Sequence, residues 1–186
     1  MIFKPHEIRH IAKKLDHDAL GIFPFDTLFG LTCTLNESNM NRLYTLKKRP
    51  QNFGCIVIIP NLSFLPRLTQ PLSPFQSQKI QSFWPGPVTL IFKKHTKLPK
   101  FITRGKNTIA IRLPHFLPLN YLLNTLNQPI FSTSVNRSGE PAASTPESFP
   151  SNILEGVDFS YTSLSPPLNT ASRIIDISQD NITVLR

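Results

Sequence analysis

Several things are scarce in this chain, and each scarcity removes a class of function. Two cysteines, Cys33 and Cys55, are too few for a disulfide framework. The opening MIFKPHEIRH lacks the apolar stretch of a secretory leader, so the expected compartment is the cytoplasm. Charges and prolines interrupt every apolar run well short of the roughly 20 residues that span a bilayer, so no membrane partner is expected. Neither G-x-x-x-x-G-K-S/T nor G-x-G-x-x-G occurs, which excludes the two common glycine-loop nucleotide sites. There is no internal repeat, low-complexity linker or arginine-rich arm.

What is present describes a folded chain. With 186 residues, 40% hydrophobic and 17% charged, it reads as one domain over 1–186 that buries its own core. Twenty lysines and arginines stand against eleven aspartates and glutamates, a formal net charge of +9. That balance favours anionic partners such as nucleotides, tRNA or other RNA, without choosing among them.

Apolar periodicity lays out the elements. Pro5 to Asp18 predicts an amphipathic helix with Ile8, Ile11, Ala12 and Leu15 on its buried stripe. Leu20 to Leu35 predicts strands on either side of a bend at Pro24 to Thr27. A second helix, capped by Asn36 or Ser38, carries Met40, Leu43 and Tyr44 and ends before Pro50. Cys55 to Ile59 has the β-branched composition of a central strand covered on both sides. Ser73 followed by Pro74 opens a third helix that runs to about Phe83. Val88–Phe92, Thr108–Leu113, Arg173–Ile177 and Ile182–Leu185 predict further strands, and Pro118–Leu126 a fourth helix. Ser144 and Glu147 have capping-box spacing around Pro146 and predict a short helix. Strands and helices interleave, which predicts an α/β layered sheet; eighteen prolines mark abrupt turns at element boundaries.

The stretch FSTSVNRSG from Phe131 to Gly139 carries the most chemistry. Period-2 alternation places Ser132, Ser134 and Asn136 on one face, opposite Phe131, Thr133 and Val135. Three small hydrogen-bonding side chains in a row need partners, and a polar ligand supplies them; a polar edge strand facing water is the competing account. The following Arg137-Ser138-Gly139 turn can offer backbone N–H groups to an anion. Lys47 continues the apolar stripe of the second helix and Arg49 follows it, so the pair can hold phosphates; favourable placement of cations at a helix C-terminus explains them equally well. Arg112 interrupts TIAIRLP on the face of Thr108 and Ala110, where it reaches either a ligand anion or a structural carboxylate. The string HEIRH at His6 to His10 matches a zinc-protease pattern, but both histidines fall opposite the buried stripe and no third ligand follows, so no metal site is assigned.

Taken in order, PFDTLFGLTC (24–33), LKKRP (46–50), FWPGPVTLIF (83–92), TIAIRLP (108–114) and FSTSVNRSGEP (131–141) resemble the YrdC-like family along essentially the whole chain. The similarity is to its short bacterial threonylcarbamoyl-AMP synthases. The resemblance implies a twisted mixed sheet with flanking helices around a deep basic cavity. It also implies a nucleotidyltransferase that makes L-threonylcarbamoyladenylate from ATP, L-threonine and bicarbonate, with Mg²⁺ shielding charge and pyrophosphate leaving. A tRNA-modifying transferase complex would then place the group on the adenosine beside the anticodon. Residue by residue, it implies that Lys47 and Arg49 bind the triphosphate and steady the departing pyrophosphate, that Ser132, Ser134 and Asn136 contact the nucleotide, and that Arg112 meets a phosphate or the threonine carboxylate. Ser172, in NTASRIIDI, matches a late serine near the ligands, and Thr27 the second threonine of a P-T-D-T pattern. Phe25 stands where the family usually has threonine and Phe29 where it often has tyrosine, which leaves amino-acid choice open. A related carbamoyl-adenylate-forming enzyme and a non-catalytic RNA-binding module with the same basic concavity are the alternatives.

Overall fold

A computed structural model describes residues 4–50 and 54–186. Helix α1 spans Pro5–Asp16, with proline in its first turn and Ile8, Ile11, Ala12 and Leu15 buried as the periodicity requires. It stops two residues short of the expected end because Asp18 turns left-handed, φ 61°. Strands β1 (Gly21–Pro24) and β2 (Phe29–Thr34) pair antiparallel, and Phe25 N–H donates to the Leu28 carbonyl to close the bend between them. Helix α2 (Glu37–Lys47) takes Asn36 as its cap, the side chain accepting from Asn39 N–H at 2.7 Å. It ends at Lys48, which is left-handed at φ 49° and swings Arg49 off the helix axis.

The middle of the chain follows the expected order. Strand β3 is Ile56–Ile58, helix α3 Leu65–Leu68, helix α4 Pro74–Phe83 and strand β4 Val88–Lys93. Helix α4 opens on a reciprocal cap in which Ser73 Oγ accepts from Gln76 N–H and the Gln76 side chain accepts from Ser73 N–H. Helix α5 is Lys100–Thr103, strand β5 Thr108–Arg112, helix α6 Leu117–Leu126 and strand β6 Ile130–Ser134. The expected cap at Ser144 is displaced by one residue. Pro146 takes the first helical position, so Thr145 precedes it as the cap and its N–H meets Ser148 Oγ at 3.2 Å. That start yields one 3₁₀ turn; helix α7 follows at Ser151–Gly156. Strands β7 (Phe159–Ser160), β8 (Arg173–Asp176) and β9 (Thr183–Val184) complete the described chain. Helices α3 and α5 and strand β7 are too short to leave a periodic signature in the sequence.

The strands form one mixed sheet in the order β7-β1-β2-β6-β3-β5-β4-β8-β9. The fold is α/β, a mixed sheet with flanking helices, as expected. Strand β3 sits in the middle, antiparallel to β6 and parallel to β5, which explains its unbroken β-branched composition. Its residues alternate between two cores. Val57 packs into the larger one with Met40, Leu43 and Tyr44 of α2 and Ile80 of α4; Ile58 joins the other with α1 and α6. There the α1 stripe meets Leu119, Leu122 and Leu123 of α6, and each fully buried aliphatic side chain contributes about 1.5–3 kcal/mol. Beyond that second cluster the same sheet face becomes the lining of a cavity.

Candidate functional site

Register builds the cavity floor. Ser132 of β6 pairs with Ile56 of β3, Ile56 with Ala110 of β5, and Ala110 with Ile91 of β4, so these four side chains lie in one row across the sheet. The small Ala110 and Ser132 keep the row low. Above it opens a cavity of about 690 Å³, with Arg49, Lys106, Arg112 and Arg186 on its walls and Glu140 as the carboxylate among its lining residues. Basic residues therefore dominate, as expected for an anionic ligand.

Ser132, Ser134 and Asn136 all line this cavity, but Thr133, which the alternation put on the opposite face, lines it as well. Two of the three are already engaged with each other. Ser134 Oγ donates to Asn136 Oδ1 at 2.6 Å, and Asn136 Nδ2 donates to the Glu140 carbonyl at 2.6 Å. The Ser132 hydroxyl, by contrast, makes no hydrogen bond among the described residues and is open to a ligand. Gly30 on β2 makes room for this arrangement. A methyl there would sit 2.5 Å from the Phe25 ring and 2.9 Å from Ser132 Oγ, and Phe25 is buried. Gly30→Ala is expected to destabilise the fold by about 1–3 kcal/mol through overpacking. An unchanged urea midpoint would contradict that.

Lys47 differs from its expected role. Its side chain is 1% exposed and does not line the cavity. Nζ donates to the Ser134 carbonyl at 2.5 Å, the Asn136 carbonyl at 2.7 Å and Asn136 Oδ1 at 2.8 Å. An ammonium has three donors, and all three are in use behind the wall. Burial, and then the like charge of Arg49, push its pKa down to about 7. In the turn after the ledge, Ser138 N–H donates to the Lys47 carbonyl and Glu140 N–H to the Arg137 carbonyl.

Arg49 does face the cavity. Its guanidinium donates to the Gly54 carbonyl at 2.9 Å and reaches Thr133 Oγ1 at 3.5 Å, beside the Tyr44 ring. The structure thus brings Lys47 and Arg49 to opposite sides of one ledge. Arg112 lines the floor but is held by the protein: it forms a buried ion pair with Asp26, donates to Thr27 Oγ1 at 3.0 Å and to the Gly86 carbonyl at 3.3 Å. Of the two accounts open from sequence, the structural carboxylate is the one present. Burial and the nearby Arg186 push the Arg112 pKa down to about 10, a pull that the Asp26 contact opposes, so it stays charged at neutral pH. Thr27 and Ser172 both reach the cavity; the Ser172 and Thr89 hydroxyls share a hydrogen bond at 2.9 Å.

Asp26, Gly30, Lys106, Glu140 and Arg186 escaped the sequence reading. Asp26 had a signal, a lone carboxylate in a tight bend of a chain short of acids. The others become neighbours only through the register. His6 and His10 are exposed, and among the described residues no three metal-ligating side chains come together. The thiols of Cys33 and Cys55 are free and buried, and burial raises both pKa values.

A family model described as Sua5_yciO_yrdC, telomere recombination, matches residues 13–186. The chain belongs to this family. Among curated relatives, a threonylcarbamoyl-AMP synthase from Halorhodospira halophila is 32% identical over 146 residues, 77% of this chain and 76% of its own length. A structure of Pyrococcus abyssi Sua5 complexed with L-threonine superposes with a TM-score of 0.89 at 26% identity, over all of this chain and 55% of that one. This chain therefore spans about half the length of the Pyrococcus protein. E. coli YciO gives a TM-score of 0.85 at 21% identity, covering 98% of this chain and 89% of its own, and bears on the fold alone. Among the described residues no helix is long and apolar enough to cross a membrane.

Proposed function

We propose that this protein makes L-threonylcarbamoyladenylate from ATP, L-threonine and bicarbonate, releasing pyrophosphate, in the service of threonylcarbamoyl modification of tRNA. The observation that carries the proposal is the cavity itself: a low apolar floor that suits a purine face, a hydroxyl ledge along one side, and Arg49 above that ledge. The names of the relatives, and the L-threonine in the Pyrococcus structure, support the same reading.

In this reading the neutral threonine amine condenses with bicarbonate: an N–C bond forms, a bicarbonate C–O bond breaks, and a carbamate and water result. A carbamate oxygen then attacks the α-phosphorus; a new P–O bond forms while the bond to the β-phosphate bridging oxygen breaks, and pyrophosphate leaves with that electron pair. The protein positions and neutralises. Arg49 grips the triphosphate and the departing pyrophosphate, with the charge of Lys47 behind the wall. Ser132 supplies an open hydroxyl to the nucleotide, and Ser134 and Asn136 shape the surface it rests on. Arg112, held by Asp26 and Thr27, and Thr27 itself line the part of the cavity where a phosphate or the threonine carboxylate would sit, and Ser172 lines it as well. Mg²⁺ would shield the charge of the phosphates it accompanies. The tRNA-modifying transferase complex would consume the adenylate, and the net charge of +9 favours weak contact with tRNA as well.

The test is pyrophosphate release measured across a set of amino acids, with and without bicarbonate. Release that needs ATP, bicarbonate and L-threonine together is expected. Because Phe25 lines the cavity without a hydroxyl, the set includes valine, serine and 2-aminobutyrate. A stronger response to one of these would reassign the substrate within the carbamoyl-adenylate class. No release with any of them, together with RNA affinity that falls steeply with salt, would replace the enzyme by a binding module.

A further inference from the structure

We propose that Lys47 is a positioning residue whose buried ammonium fixes the ledge from Ser134 to Glu140 from behind, without touching the ligand. The residue holds that segment at both of its ends. Its side chain donates to the Ser134 and Asn136 carbonyls and to Asn136 Oδ1, and its own carbonyl accepts from Ser138 N–H at 3.0 Å. Asn136 passes the restraint on to Glu140 and Ser134 through its remaining side-chain bonds. A charge sealed in a protein wall is tolerated only where acceptors replace water, and here three oxygens do so. Removing the ammonium would leave two buried carbonyls without their partner and release the Asn136 side chain, the groups that set the ledge's shape. The charged and titratable groups around it are Arg49 beyond the end of α2, Cys55 ahead of β3, Tyr44 on α2 with Arg104 over its ring, and Glu140 past the ledge. The proposal deepens the reading of this cavity and rests on that reading only for what fills it.

Hydrogen exchange of the ligand-free protein separates positioning from direct binding. In Lys47→Met, exchange of the Ser138 and Glu140 amides is expected to accelerate by about ten-fold or more, while Arg49→Met, which keeps the ammonium, accelerates neither. A second measurement needs no variant. The Lys47 Cε resonance, followed from about pH 6 to 10, is expected to titrate far below an ordinary lysine, near the value of about 7 that its burial sets, with the ledge amides shifting at the same midpoint. Unchanged ledge exchange in Lys47→Met, with ATP affinity lost to the same degree as in Arg49→Met, would make Lys47 a direct phosphate ligand and overturn the proposal. Should Lys47→Met not fold, ledge amides indifferent to the Lys47 titration would overturn it instead. Absence of pyrophosphate release by the wild type strikes the functional reading alone and leaves both of these readouts intact.

Discussion

Arg49→Met is expected to lower pyrophosphate release by about 10²–10³-fold, the usual consequence of removing one preorganised donor from developing phosphate charge. The size of the effect follows from geometry. Arg49 lines the cavity beside the ledge, where its guanidinium reaches Thr133 Oγ1 at 3.5 Å. A planar fork suits phosphate oxygens, so lysine is a poor replacement and Arg49→Lys should recover only part of the rate. The fold should tolerate the change, since Arg49 is half-buried at the rim. The same substitution removes a like charge from beside Lys47 and should raise the Lys47 pKa. A loss of activity under about ten-fold, with the protein folded, would remove Arg49 from the phosphate site.

Asp26→Ala is expected to have the largest effect on stability. Asp26 and Arg112 each keep only 4% of their side-chain surface exposed, and they pair where the bend between β1 and β2 meets the end of β5. Removing one partner of a buried pair strands the other charge, at a cost of about 3–5 kcal/mol. Thr27 and the Gly86 carbonyl remain as Arg112 partners but carry no charge to balance it. The double variant Asp26→Ala, Arg112→Met should recover much of the loss, because no charge is then left buried. Urea denaturation of the four proteins in this cycle reads the coupling directly. A single-variant cost below about 1 kcal/mol would mean that water already reaches the pair.

Elements with a strong period were legible in the sequence, and so was the ledge. The α1 stripe, the Asn36 cap, the central β3 and the alternation of Ser132, Ser134 and Asn136 all follow from spacing, because a buried face must repeat at 3.6 or at 2. What spacing does not encode is which strand lies beside which. Ile91, Ala110, Ile56 and Ser132 form the cavity floor only through pairings between distant segments, and no local pattern announces that row. Lys47 shows the same boundary. Its place on the apolar stripe of α2 correctly predicts a buried lysine needing counter-groups. That those groups are the carbonyls of the ledge, and not a ligand, depends on β6 running past the end of α2. Asp26 was missed for a related reason: its arginine lies 86 residues away along the chain.

A crystal structure of the protein grown with ATP tests the central claim most directly. The account places the triphosphate over the ledge, with phosphate oxygens within hydrogen-bond distance of the Arg49 guanidinium, the Ser132 hydroxyl engaged, and Lys47 still bound to the Ser134 and Asn136 carbonyls. Triphosphate density elsewhere on the surface, with Arg49 and Ser132 untouched and the 690 Å³ cavity empty, would contradict it.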